Sequence, residues 1–145
     1  MTYSEFMNRP RILHMKISHK ADEVAFKLEV CQKTTGTLGE RVQTSPTNIT
    51  EMHYASYIDA NKKLQSLVND YNKAKDEVTE FLYDNLGLDD ADLLEWRYVN
   101  GKNLQETAEI LGVAYQTARN RMSRAESRAR RKYAEVGTQK YSKVQ

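Results

Sequence analysis

The chain of 145 residues has one cysteine, so no disulfide can staple it internally. Cys31 reads as a small apolar residue on a helix face, and its solitude suits a reducing cytoplasm. No run approaches the ~18 apolar residues of a membrane span. The start, "MTYSEFMNRPRILHMK", lacks an apolar stretch behind a basic one, so neither a secretory signal nor a membrane partner is expected. Only two prolines and six glycines interrupt the chain, which favours long helices. Catalytic and metal-binding patterns are equally sparse. His14, His19 and His53 form no metal-ligand spacing. His14 and His19 stand five apart and would not face one ligand from a regular helix. No Cys–His or Ser–His–Asp arrangement is suggested by chain order. Asp89 and Asp90 sit at a helix start, where capping explains them. Gly36 and Gly39 are too sparse to cradle a phosphate. An enzyme, a cofactor and a metal are therefore not expected.

What the chain has in abundance is charge, unevenly placed. Its formal net charge is +2. Residues 113–145 nevertheless hold nine Lys or Arg against two Glu, whereas residues 1–112 hold thirteen against eighteen acidic residues. An acidic body with a basic C-terminal end suggests a polyanion met by one end.

Periodicity points to an all-α protein: a long N-terminal helical hairpin or coiled coil, then a C-terminal three-helix domain. Ile17, Ala21, Val24, Leu28 and Cys31 alternate by four and three along a first helix over 11–33. Residues 34–48, with Gly36, Gly39 and Pro46, read as a loop. A second helix is expected to restart after Asn48, with Glu51 completing a variant capping box, and to run to about Leu86. Tyr57, Asn61, Leu64, Val68, Tyr71, Lys75, Val78 and Leu82 mark its seam, with Asn61 and Lys75 as polar residues that could fix register. The hairpin, 1–86, is expected to serve oligomerisation or partner binding, through packing within one chain or between chains.

Residues 87–136 form the expected second domain, and 137–145 a frayed tail. Gly87 ends the long helix, and Leu93, Leu94, Tyr98 and Trp96 are the inward candidates of the next, which Gly101 stops. Asn103 can cap "LQETAEILG", with Glu106 completing the box and Leu104, Ala108 and Leu111 as its apolar side. Gly112 and Val113 turn the chain into a last helix carrying seven Arg or Lys over 119–132. Two short helices joined by a Gly-containing turn, the second exposed and basic, fit a helix-turn-helix reader. Ala118, Met122 and Ala125 keep one face on the core. Tyr115, Gln116, Thr117, Arg119, Asn120, Arg121, Ser123, Arg124, Arg128 and Arg131 are the expected DNA-binding residues. Gln and Asn suit adenine edges, Arg suits guanine or phosphate, and the arginines nearer the C-terminus suit phosphate.

These residues carry a family likeness. "NLQETAEILGVAYQTARNRMSRAESR" resembles the region-4 helix-turn-helix of the sigma-70 superfamily, and "LLEWRYVNGK" its preceding helix. Upstream, "GERVQTSP" and "YIDANKKLQSLVNDYNKAKDEV" are similar to ArpU-type proteins of phages and prophages of Gram-positive bacteria. The resemblance implies a transcriptional regulator that binds double-stranded DNA in the host cytoplasm. RNA polymerase and a homodimer or higher homo-oligomer are its further candidate partners. Against the family pattern, Thr107 replaces Ile, Ala118 replaces Val or Ile, and Ala114 replaces a capping Ser or Thr. A slightly underfilled core and a weakly capped last helix are expected. Two alternatives remain at this level: a small-terminase-like packaging protein, and a polymerase-binding protein without sequence reading of its own.

Overall fold

The computed structural model describes residues 1–38 and 46–137, with side chains described for 1–33 and 49–136. Among the described residues every element is helical. They run α1 (Tyr3–Leu38), α2 (Pro46–Asn85), α3 (Leu88–Leu94) with a π-helical turn (Glu95–Val99), α4 (Leu104–Leu111), and α5 (Tyr115–Lys132) with a second π-helical turn (Tyr133–Gly137).

α1 starts eight residues earlier than its periodicity predicts and runs through Pro10. Its start is a capping box. Thr2 N–H donates to Glu5 Oε2 at 2.9 Å and Glu5 N–H to Thr2 Oγ1 at 3.2 Å. Proline costs a helix interior one hydrogen bond. Here the segment is retained because Phe6, Met7 and Pro10 are buried. At its other end α1 continues to Leu38, and α2 begins at Pro46, where the fixed φ of proline suits a first helical position. The expected loop therefore loses residues 34–38 and 46–48 to helix. Asn48 lies inside α2 rather than capping it. The rest of that loop, 39–45, and the expected tail, 138–145, lie outside the described residues.

The seam of α2 is also corrected by one position at Asn61, Val68 and Lys75, whereas Leu82 is buried as expected. Tyr57, Leu64, Tyr71 and Val78 face inward as expected. Between them the most enclosed positions are Ala60, Leu67, Ala74 and Phe81, with Ala60 3% and Ala74 0% exposed. Asn61 and Lys75 flank that line, and Val68 is exposed. Both choices satisfy a four-three alternation. Small alanines next to polar residues hide the true line from a hydrophobicity reading.

The described chain divides into two compact units. One comprises residues 13–70, the hairpin of α1 and α2. On α1 its inward positions include Leu13, Ile17, Ala21, Val24 and the buried Cys31, whereas Leu28 is exposed. The other unit joins residues 1–12 to the described residues from Tyr71 onward. Its division thus falls elsewhere than the expected boundary after residue 86. The reason is aromatic packing. Phe6 meets Phe81 edge-on at 5.6 Å, and both meet Tyr133, at 5.2 and 5.8 Å. Val78, Leu82, Leu94, Met122 and Ala129 complete this core. Arg9 pairs with Glu77 at 2.5 Å beside it. Tyr133 closes the arrangement by donating its hydroxyl to Met1 O at 3.0 Å.

Candidate nucleic-acid interface

The surface that could meet DNA is built by short helices whose ends are specified locally. Gly87 is extended (φ −63°, ψ 158°), and Asp89 and Asp90 follow in the first turn of α3, where carboxylates favour the positive helix end. α3 buries Ala91, Leu93 and Leu94. It then widens into the π turn, in which Asn100 N–H donates to Glu95 O at 3.0 Å, five residues back. Gly101, at φ +68°, stops it. Asn103 caps α4, its side-chain oxygen accepting from Glu106 N–H at 2.8 Å. The Glu106 carboxylate lies 3.7 Å from Lys102 Nζ.

α4 buries Thr107 and Ala108. Leu111, expected on its apolar side, is 37% exposed, and Thr107 occupies the interior instead. A buried hydroxyl needs a partner, and Thr107 Oγ1 donates to Asn103 O at 2.8 Å. Gly112 ends the helix in the left-handed region (φ 68°, ψ 34°). That geometry lets Val113 N–H reach back to Ala108 O at 3.1 Å. Ala114, extended at φ −65° and ψ 150°, starts α5 without a side-chain cap, as expected of alanine there.

α5 has three lines of exposed side chains around a buried one. Ala118, Met122, Ala125 and Ala129 face the core. Opposite them, at helical spacing, stand Gln116, Asn120, Ser123 and Arg131. Gln116 Nε2 donates to Asn120 Oδ1 at 3.3 Å, so one face presents two carboxamides held together. On one flank Arg119 and Arg130 share a cleft with Arg97 of the π turn. On the other, Arg121, Arg124 and Arg128 share a cleft with Asp89, Asp90 and Asp92 at the start of α3. All ten expected DNA-binding residues are exposed, Tyr115 at 50%.

The two flanks differ electrostatically. Arg128 Nη1 donates to Asp90 Oδ2 at 2.6 Å, and the arginine side chain is still 59% exposed. An exposed pair of this kind contributes ~0–1 kcal/mol, so a phosphate could compete for Arg128 at little cost. On the opposite flank the negative group is Glu126, which accepts from the Tyr98 hydroxyl at 2.5 Å and lies 3.8 Å from Arg130 Nε. Burial first, then that hydrogen bond and the carboxylate's charge, push the Tyr98 hydroxyl up to about 12. Arg130 also stands 5.5 Å from the Tyr3 ring centre, which supports its position by cation–π attraction. At the edge of α3, Tyr83 shares its hydroxyl between Asp92 and Glu95, and these bonds push its titration upward.

One residue of this surface escaped the sequence reading. Arg97 lies outside the helix-turn-helix, in a segment that otherwise carries only acidic charges, Asp89, Asp90, Asp92 and Glu95. Arg130 is among the phosphate-suited arginines expected in the C-terminal half of α5. Among the described residues no group of three or more His, Cys, Asp or Glu could hold a metal ion. No described helix is long and apolar enough to cross a membrane.

The family model described as "Sigma-70, region 4" matches residues 84–131, from the end of α2 to the last turn of α5. This part of the chain is a sigma-70 region 4-like helix-turn-helix, a DNA-binding kind of module. A search of curated proteins and a search of solved structures return no match.

Proposed function

We propose that the chain is a sequence-specific, double-stranded-DNA-binding transcriptional regulator that lays α5 in the major groove. The observation that carries this reading is the exposed face of Gln116, Asn120 and Ser123, set between two arginine flanks. Amides read base edges there, and guanidinium groups on either side reach the two phosphate backbones. The resemblance of 38–133 to ArpU-type proteins supports a phage or prophage origin. The hairpin serves self-association, which would bring two readers to one DNA site.

Selection of the purified chain against random-sequence duplexes, at about physiological ionic strength, tests this. An enriched motif is expected, since non-specific phosphate binding is partly screened there. Binding without enrichment that vanishes as salt rises would sink the reading and favour the packaging alternative. A second reading, contact with RNA polymerase, is favoured by the match to region 4 of sigma-70. Retention of purified polymerase on the immobilised chain, without DNA, would establish it.

A further inference from the structure

The hairpin buries one face of α1 and leaves another large apolar pair in solvent. Met15 is 63% and Phe26 65% exposed. Together with His19 and Asp22, both exposed, they fall at positions 15, 19, 22 and 26. That four-three-four spacing is a coiled-coil stripe. It is separate from the inward line through Leu13, Ile17, Val24 and Cys31.

We infer that this stripe of α1 is the docking surface for α1 of a second copy, packed antiparallel across a two-fold axis between residues 20 and 21. The inference deepens the self-association proposed above by naming its surface and register. Side-chain complementarity carries it. In that register Met15 lies against Phe26 of the other copy, and His19 against its Asp22. Both contacts occur twice, as an isologous interface requires. One edge of the stripe holds Lys16 and Glu23, which would face each other with opposite charge. The other edge holds Ser18 and Ala25, small enough for close approach. All but Glu23 of these four are exposed, and Glu23 is half-buried. A parallel pairing would instead set Asp22 on Asp22 and His19 on His19. A rival stripe on α2, through Ile58 and Val68, is weaker on the same criteria. Those residues are only 39% and 37% exposed, and its antiparallel register sets Lys62 against Lys62. The polar His19–Asp22 layers in the middle define a single register at some cost in stability.

Sedimentation velocity on the full chain, across a concentration series, gives the first readout. A dimer is expected, and Phe26→Lys or Met15→Lys should raise the dissociation midpoint about thirtyfold or more, as loss of an anchor does. Both side chains are exposed, so the helical circular dichroism signal should persist. Lys16→Glu should weaken the dimer, and Lys16→Glu with Glu23→Lys should restore it in part. Register is read by cross-linking in a Cys31→Ala background. Met15→Cys protein mixed with Phe26→Cys protein should form a disulfide dimer, whereas each alone should not, its thiols lying roughly 16 Å apart along the helices. A monomer at every concentration, a dimer indifferent to Phe26→Lys, or equal cross-linking of the separate proteins would overturn the inference. The DNA reading is scored independently. If it holds, a monomeric Phe26→Lys chain still enriches a half-site in the duplex selection, and if it fails, no motif appears in either oligomeric state.

Discussion

Replacing Phe6 by Ala should destabilise the helix-turn-helix, although Phe6 lies near the start of the chain and 78 residues before the matched region begins. The Phe6 ring is 0% exposed. It stands 5.6 Å from Phe81 and 5.2 Å from Tyr133, so its removal deletes two aromatic contacts and opens a cavity between α2 and the end of α5. Truncating a buried phenylalanine costs about 3–5 kcal/mol, a large part of the ~5–15 kcal/mol that typically holds a domain. Trp96, the single tryptophan, sits in the π turn after α3, and its fluorescence reports on the helix-turn-helix. With a urea dependence of ~2 kcal/mol per molar, the Trp96 midpoint should fall by about 1.5–2.5 M. An unchanged Trp96 midpoint would refute the claim that the first turns of α1 are part of the DNA-binding unit.

Other outcomes follow from the same geometry. Gln116→Ala or Asn120→Ala should relax sequence preference, while Arg119→Ala or Arg128→Ala should weaken binding to every duplex and lower the salt slope by about one. Like behaviour of both pairs in a salt titration would show the division of α5 to be mistaken. Asp90→Asn, by freeing Arg128, should tighten binding to all duplexes by up to about fivefold in the same titration. Asn103→Ala removes the cap of α4 and should cost ~1 kcal/mol in urea denaturation. Gly112→Ala should cost about 1–2 kcal/mol through its positive φ alone, because an added Cβ would meet nothing within 4 Å. The Tyr98 hydroxyl, at about 12 in the fold against 10.0 normally, keeps its proton longer folded than unfolded. Its contribution is complete below pH 10 and is lost as pH rises through 12. A Tyr98→Phe chain should therefore lose stability less steeply over that window in pH-dependent denaturation.

Helical class, the helix-turn-helix and its exposed basic helix were legible in the residues, because each rests on local chemistry. Asn103 and Gly112 end α4 by their own backbone and side-chain preferences, and Ala118, Met122 and Ala125 mark the inner line of α5 by spacing. The capping box of Thr2 and Glu5 is equally local, although the first helix was expected to begin only at residue 11. Tertiary structure decided the rest. Nothing along the chain says that Phe6 meets Tyr133, since that contact joins residues more than a hundred positions apart. Whether Ala60 or Asn61 faces inward depends on a close approach by a neighbouring helix, which favours the smaller side chain whatever its hydrophobicity. The unequal flanks of α5 arise in the same way. Its arginines look alike in sequence, and only packing brings Asp90 to Arg128 and Arg97 beside Arg130.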